Sequence, residues 1–145
     1  MSYQILSKLG GGAFGQVYRL RVPNGNEYAL KLIALTEKTN YNQAKAEAEL
    51  MMRLSHPYIV QCGQYAFVGD NLVCLVLEYC GRGNLTNAIV SVVPEQQALL
   101  WFAQMADAIT YLHGEKIMHR DIKPDNILLG GNSNIKVGDL GIARE

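Results

Sequence analysis

The sequence predicts an α+β chain in two parts, and three observations carry that reading. The first third alternates apolar and polar residues around a glycine cluster, as strands flanking a turn do. A helical period sets in over residues 42–54 and again after Pro94. Between them Gly81-Arg82-Gly83 punctuates the chain and divides it into a part spanning 1–80 and a part spanning 81–145. With 145 residues there is room for one ordinary domain or two small lobes, and 49% hydrophobic against 18% charged residues supplies a core.

The elements follow in order. Tyr3, Ile5 and Leu9, then Val17, Leu20 and Val22, read as two strands about the glycines. Pro23-Asn24-Gly25-Asn26 is a turn signal, and Tyr28-Ala29-Leu30-Lys31-Leu32-Ile33 is a third strand. The helix over 42–54 comes next, then strand-like runs at 59–62 and 72–77. Pro94 suits the first turn of a long helix, with Phe102, Met105, Ile109 and Leu112 as its apolar stripe and Gly114 as its C-terminal cap. Ile127-Leu128-Leu129 and Ile135-Lys136-Val137 bracket Gly130-Gly131-Asn132-Ser133-Asn134 as a hairpin.

Charge and cysteine usage exclude several classes. Thirteen basic residues balance thirteen acidic ones, so no strongly basic field for nucleic acid exists. Cys62, Cys74 and Cys80 are odd in number and lack C-x-x-C spacing, which argues against a disulfide framework or zinc site and for a reducing, intracellular and cytoplasmic setting, the nucleus included. Met1-Ser2-Tyr3-Gln4 leads into no apolar signal core, and no run is long enough to span a bilayer, so no membrane partner is expected.

Four segments carry chemistry. Leu9-Gly10-Gly11-Gly12-Ala13-Phe14-Gly15-Gln16-Val17 contains G-x-G-x-x-G. A dinucleotide fingerprint would open a helix after the last glycine, and a Walker loop would continue Gly-Lys-Ser/Thr. Here an alternating strand pattern follows, leaving either a plain glycine-rich turn or a hairpin whose backbone folds over phosphates. Lys31 interrupts an apolar strand and needs solvent or a partner. At about 100° per residue, Glu47 shares a helix face with Ala44, Leu50, Met51 and Leu54, while Glu49 points away, so a Lys31–Glu47 ion pair is expected.

His119-Arg120-Asp121-Ile122-Lys123-Pro124-Asp125-Asn126 sets a carboxylate, an ammonium and a carboxamide on a stretch that reads as too irregular for a helix. Pro124 biases Lys123 toward extended backbone and lets the loop aim Asp121, Lys123 and Asn126 into one site. Val137-Gly138-Asp139-Leu140-Gly141 ends a strand in a carboxylate across the hairpin from Asn126. The two supply oxygen donors of the kind Mg²⁺ accepts.

These segments, in this order from about Tyr3 to Glu145, resemble the eukaryotic protein kinases. The resemblance implies a complete N-terminal lobe, a five-stranded antiparallel sheet plus one helix, and a truncated second lobe ending just after Asp139-Leu140-Gly141. It implies ATP and Mg²⁺ as cofactors and a protein substrate with a serine or threonine acceptor, Lys123 being the serine/threonine-type residue. Gly10, Gly11, Gly12 and Gly15 would cover ATP. Lys31 would hold its α- and β-phosphates, oriented by Glu47. Asp121 would orient or accept the hydroxyl proton, Lys123 would steady the transferred group, and Asn126 and Asp139 would hold Mg²⁺. Leu75-Val76-Leu77-Glu78-Tyr79-Cys80 resembles the hinge, with Leu77 as gatekeeper and backbone groups of Glu78 and Cys80 meeting adenine between walls of Leu9, Val17, Ala29, Val60 and Leu128. Trp101-Phe102-Ala103-Gln104 and Gly138-Asp139-Leu140-Gly141-Ile142-Ala143-Arg144 are most similar to NIMA-related kinases.

Leu140 stands where the family has phenylalanine and would stack with Met51, Cys62 and His119. No Ala-Pro-Glu follows Gly141, so the sequence reads as a fragment whose long helix exposes apolar surface, from Phe102 to Leu112, to a partner or to aggregation. The alternative is a truncated non-catalytic nucleotide-binding or regulatory module.

Overall fold

Residues 2–12, 15–36, 41–117 and 122–138 are described by the computed structural model, the side chain of Glu47 excepted. They gather into two units. One takes the residues up to Leu54 with Gln61–Tyr79, the other Ser55–Val60 with the residues from Cys80 onward. The chain therefore passes between units at Tyr79/Cys80, close to the glycine punctuation, while Ser55–Val60 joins the second unit rather than the first.

In the first unit, β1 (Gln4–Gly12), β2 (Gly15–Arg21) and β3 (Glu27–Ala34) form a meander. Helix α1 (Tyr41–Arg53) follows, then β4 (Cys62–Val68) and β5 (Leu72–Glu78). The sheet order is β1-β2-β3-β5-β4, antiparallel at every pair. The β2–β3 turn is tied by the Val22 N–H to the Asn26 carbonyl at 2.9 Å, with Gly25 at φ 91° where a side chain would be strained. Ala44, Ala48, Leu50, Met51 and Leu54 are the buried face of α1, and Val73 and Leu75 are buried on the sheet. Each of the larger ones, leucine, methionine and valine, contributes about 1.5–3 kcal/mol on leaving water. The Tyr41 and Phe67 rings lie 4.2 Å apart, and the Tyr65 hydroxyl donates to Glu49 at 3.2 Å, which fastens α1 to β4.

The strand expected at 59–62 is misplaced. Ile59 and Val60 are buried against the second unit's last strand, and β4 begins only at Cys62. An apolar run signals burial, not which sheet provides it. The actual strand is carried by Tyr65 and Phe67, half-buried at alternate positions.

The second unit is built on α2 (Leu85–Ala88), α3 (Glu95–Gly114), a 3₁₀ turn (Pro124–Asn126), β6 (Ile127–Leu129) and β7 (Ile135–Val137). One-turn α2 escaped the sequence reading; Asn84 caps it, its side chain accepting from the Asn87 N–H at 3.0 Å. The loop read as too irregular for a helix holds the 3₁₀ turn, opened by Pro124 after a fully extended Lys123 (φ −154°, ψ 159°). The expected hairpin forms as β6 and β7, with Ile127 opposite Val137 and Leu129 opposite Ile135. Backbone bonds extend it on both sides. Val60 N–H reaches the Val137 carbonyl at 2.9 Å, and Leu129 N–H reaches the Gly83 carbonyl at 2.9 Å.

Two expectations for α3 are corrected. Pro94 is its N-cap rather than part of its first turn. The buried stripe is Trp101, Gln104, Ala108 and Leu112, whereas Phe102 is 68% exposed. The hairpin packs one position away from the stripe that the apolar residues suggested, because Gln104 is accepted into the core by hydrogen bonds. Leu112, expected on the exposed surface, is buried, while Leu99 and Leu100 join Phe102 in solvent.

Gly114 is the last residue of α3 but not its left-handed cap. Lys116 takes the left-handed position at φ 63°. Ile117 N–H bonds the Leu112 carbonyl at 2.8 Å, Lys116 N–H bonds the His113 carbonyl at 3.0 Å, and the Ile117 and Leu112 side chains are both buried. This is a Schellman cap with its apolar pair but without its usual glycine. Lys116→Gly is expected to raise stability by about 0.5–1 kcal/mol in urea unfolding, since it relieves a left-handed L-residue at some cost in chain entropy.

A second expectation concerns Glu27. Arg19, bonded at 2.6 Å, holds its carboxyl below the ordinary 4.5 against a smaller opposing push from desolvation, and Arg21 adds to the lowering. A lowered folded value stabilises above the unfolded one and is lost as pH falls through the folded one. Glu27→Gln should therefore melt below the parent chain at neutral pH, with the gap closing as the pH falls through the lowered folded value of Glu27.

Candidate active site

The residues expected at the site are divided between the two units. In the first, Gly12 faces Gly15 across the β1–β2 hairpin, so a strand and not a helix follows the glycines. Val17 lies opposite Lys31, which lies opposite Leu75; Ala29 lies opposite Leu77 in the next row of the same face. Lys31 is 8% exposed, flanked by buried Ala29 and Leu75. Its expected pairing with Glu47 lies outside the described residues, because the Glu47 side chain does. Met51 and Cys62 are both buried as the expected stack requires, while its other members, His119 and Leu140, lie outside the described residues. Leu9 is 45% exposed near the open edge of the sheet.

At the end of β5, Glu78 is fixed twice to Gln61. Its N–H donates to the Gln61 carbonyl at 2.9 Å, and its side chain accepts from the Gln61 N–H at 2.8 Å. Glu78 therefore has no N–H to offer a base, and a donor must come from further along the segment. The Arg19 guanidinium lies 5.0 Å from the Tyr79 ring centre, a cation–π contact at the point where the chain leaves the unit. Cys80 is half-buried. Burial pushes the Cys62 and Cys74 thiols up, which makes both poor nucleophiles.

In the second unit, Asn126 is buried at the end of the 3₁₀ turn. Its N–H donates to the Lys123 carbonyl at 2.9 Å, and its carbonyl accepts from the Gly138 N–H at 2.9 Å. The Thr86 hydroxyl donates to Asp125 at 2.5 Å and ties α2 to the same turn. A Cβ on Gly138 would lie 3.5 Å from Leu128 and 3.6 Å from Val60, so two of the expected adenine walls meet beside the residue preceding Asp139. Asp121 and Asp139 lie outside the described residues, and so do Gly141 and the rest of the chain's end.

The donor chemistry suits Mg²⁺. Asn126 offers a carboxamide oxygen from a fixed backbone, and Asp139 follows its hydrogen-bonded partner Gly138 in sequence. Among the described residues no group of three or more His, Cys, Asp or Glu gathers as a metal cage. Magnesium asks for none, taking one or two protein groups with phosphate oxygens and water. Among the described residues, too, no helix is long and apolar enough to cross a membrane.

Sequence reasoning missed Arg82, Trp101 and Gln104, which hold the hairpin turn. Trp101 Nε1 donates to the Ser133 carbonyl at 2.9 Å, Gln104 Nε2 donates to Asn134 Oδ1 at 2.8 Å, and Gln104 Oε1 accepts from the Ile135 N–H at 3.0 Å. Arg82 bonds the Ser133 hydroxyl. The available signal was an amide three residues after a tryptophan, on one helix face.

Comparison with known proteins agrees with this arrangement. Residues 3–145 match the protein kinase domain. The chain is 34% identical to the serine/threonine-protein kinase AtPK2/AtPK19 of Arabidopsis thaliana, covering 99% of this chain and 31% of that protein. It is 35% identical to the serine/threonine-protein kinase Nek4 of Mus musculus (99% and 19%) and 34% to Nek3 of Oryza sativa subsp. japonica (98% and 26%). It thus spans less than a third of each of these relatives' length. Nek kinases stand among them, as the NIMA-related resemblance expects, beside other serine/threonine kinases at similar identity. The matched domain covers both units and every segment from the glycine hairpin to Asp139, and the chain belongs to the protein kinase domain family.

Proposed function

We propose that the chain carries the ATP-binding and catalytic groups of a kinase that phosphorylates serine or threonine in protein substrates, with Mg²⁺ as its metal. The observation that carries this reading is Lys31, an ammonium buried in an apolar sheet face one strand from the glycine hairpin. Burying a charge there is costly unless it meets strong anionic partners, and a triphosphate with the Glu47 carboxylate supplies them. The glycine hairpin brings backbone N–H groups to the phosphates. Asp121 takes the proton from the acceptor hydroxyl, Lys123 neutralises charge on the group in transit, and Asn126 with Asp139 holds the magnesium that bridges the phosphates. Leu9, Val17, Ala29, Leu77, Val60 and Leu128 enclose the adenine, and the segment from Glu78 to Cys80 supplies its backbone partners. Cys62, Cys74 and Cys80 form no disulfide among the described residues, which suits a reducing, intracellular setting.

Two substitutions separate binding from chemistry. In a protein carrying this segment within a complete domain, Lys31→Met should lower kcat by about 10²–10³-fold. Asp121→Asn should leave nucleotide affinity near that of the parent and lower kcat by about 10²–10⁴-fold. Peptide phosphorylation assays and nucleotide titration read the two quantities. Parent-like turnover in either variant contradicts the assignment, and nucleotide binding by the parent with no phosphoryl transfer supports the non-catalytic module instead.

A further inference from the structure

The β6–β7 hairpin connects the two candidate metal donors. Asn126 precedes Ile127, Asp139 follows Gly138, and the Gly138 N–H to Asn126 carbonyl bond closes the ladder at that end. The strands are three residues each, too short for a ribbon to hold its own register. A slip of one residue would reverse every side chain's face and shift one donor along the other. The flanking backbone bonds to Val60 and Gly83 are generic donors and acceptors that do not distinguish one residue from another.

The far end of the hairpin is read by side chains. Trp101, Gln104 and Arg82 engage three consecutive residues, Ser133, Asn134 and Ile135, and Ser133 is held at φ 65°. Gln104 is 4% exposed and bonded at both ends of its amide, donating to a side chain and accepting from the next residue's backbone. A buried amide is tolerated only with those partners present, so any other register carries a penalty. This makes Gln104 specific for a single alignment.

We infer that Gln104, supported by Trp101 and Arg82, is a positioning residue for magnesium binding: it locks the register of the hairpin and so fixes Asn126 against Gly138, the residue before Asp139 in sequence. The inference rests on the reading of Asn126 and Asp139 as magnesium ligands. Gln104 acts through the hairpin, from the end opposite the metal.

The test uses the 145-residue chain with two readouts, hydrogen exchange at the Gly138 amide and the Mg²⁺ concentration giving half-maximal binding of a non-hydrolysable ATP analogue. Both are measured where circular dichroism shows each variant folded. Gln104→Met should speed Gly138 exchange and raise the magnesium midpoint roughly tenfold, as loss of outer-shell support does, leaving metal-free nucleotide affinity unchanged. Gln104→Glu keeps the acceptor for Ile135, and at acid pH, where its buried carboxyl is protonated and donates to Asn134 Oδ1, it should recover most of the Gly138 protection seen in the parent at that pH. Should Gln104→Met not fold, Asn134→Ala removes the donor's partner alone and should move both readouts in the same direction. An unchanged Gly138 exchange rate or magnesium midpoint in the folded variant overturns the inference, and if Asn126→Ala at the same time abolishes magnesium dependence, the ligand reading survives it. A parent chain whose nucleotide binding ignores magnesium overturns the ligand reading, and the role of Gln104 with it.

Discussion

The 2.9 Å bond from the Gly138 N–H to the Asn126 carbonyl is the constraint on which the second unit turns. It closes the hairpin between Asn126 and the residue that precedes Asp139 in sequence. Everything else in the unit arranges itself about that ladder. Residues 58–60 add a parallel edge to β7, residues 82–84 add an edge to β6, and α3 lies against the turn through Trp101 and Gln104. Two short strands become a four-ribbon patch with buried Ile127, Ile135 and Val137 at its centre. The apolar burial stabilises the patch, and the side-chain bonds at the turn choose its register.

The first unit solves a different problem, which is to keep a cation inside an apolar sheet. Lys31 sits in the central strand, bordered by Val17 and Leu75 on either side, where the backbone ladder holds it from both directions. Helix α1 presents its buried face from Ala44 to Leu54, and aromatic contacts from Tyr41 to Phe67 fasten its first turn to β4. An ammonium in this position is poised for anionic groups and is poorly served by water. Its burial in the central strand is what the proposed phosphate contact of Lys31 builds on.

Most of the fold was legible because the local signals and the tertiary structure agree. The glycine run, the Pro23–Asn26 turn residues, the Lys31 strand and the β6–β7 bracket each named their element from residue chemistry alone. The failures have one physical cause: tertiary packing outweighed local preference. Ile59 and Val60 announced burial but not the sheet that buries them. Lys116 and Ser133 occupy left-handed positions where glycine is expected, held there by the buried Leu112–Ile117 pair and by the bonds to Ser133. Nothing local announced the burial of Gln104, since its partners lie thirty residues away in sequence. The candidate site was legible as a set of motifs. Its supporting contacts were not, because no local pattern encodes a long-range amide bond.

The proposed role of Asn126 and Asp139 is to hold a divalent metal. Substoichiometric Mn²⁺, added to isotope-labelled chain with a non-hydrolysable ATP analogue, tests it directly, because the ion broadens nuclear resonances only nearby. The Asn126 side-chain amide and the Gly138 backbone amide should vanish first, with Ser133 and Asn134 at the far turn retained. Loss of signal beside surface carboxylates such as Asp70 or Glu115, with Asn126 and Gly138 unaffected, would contradict it.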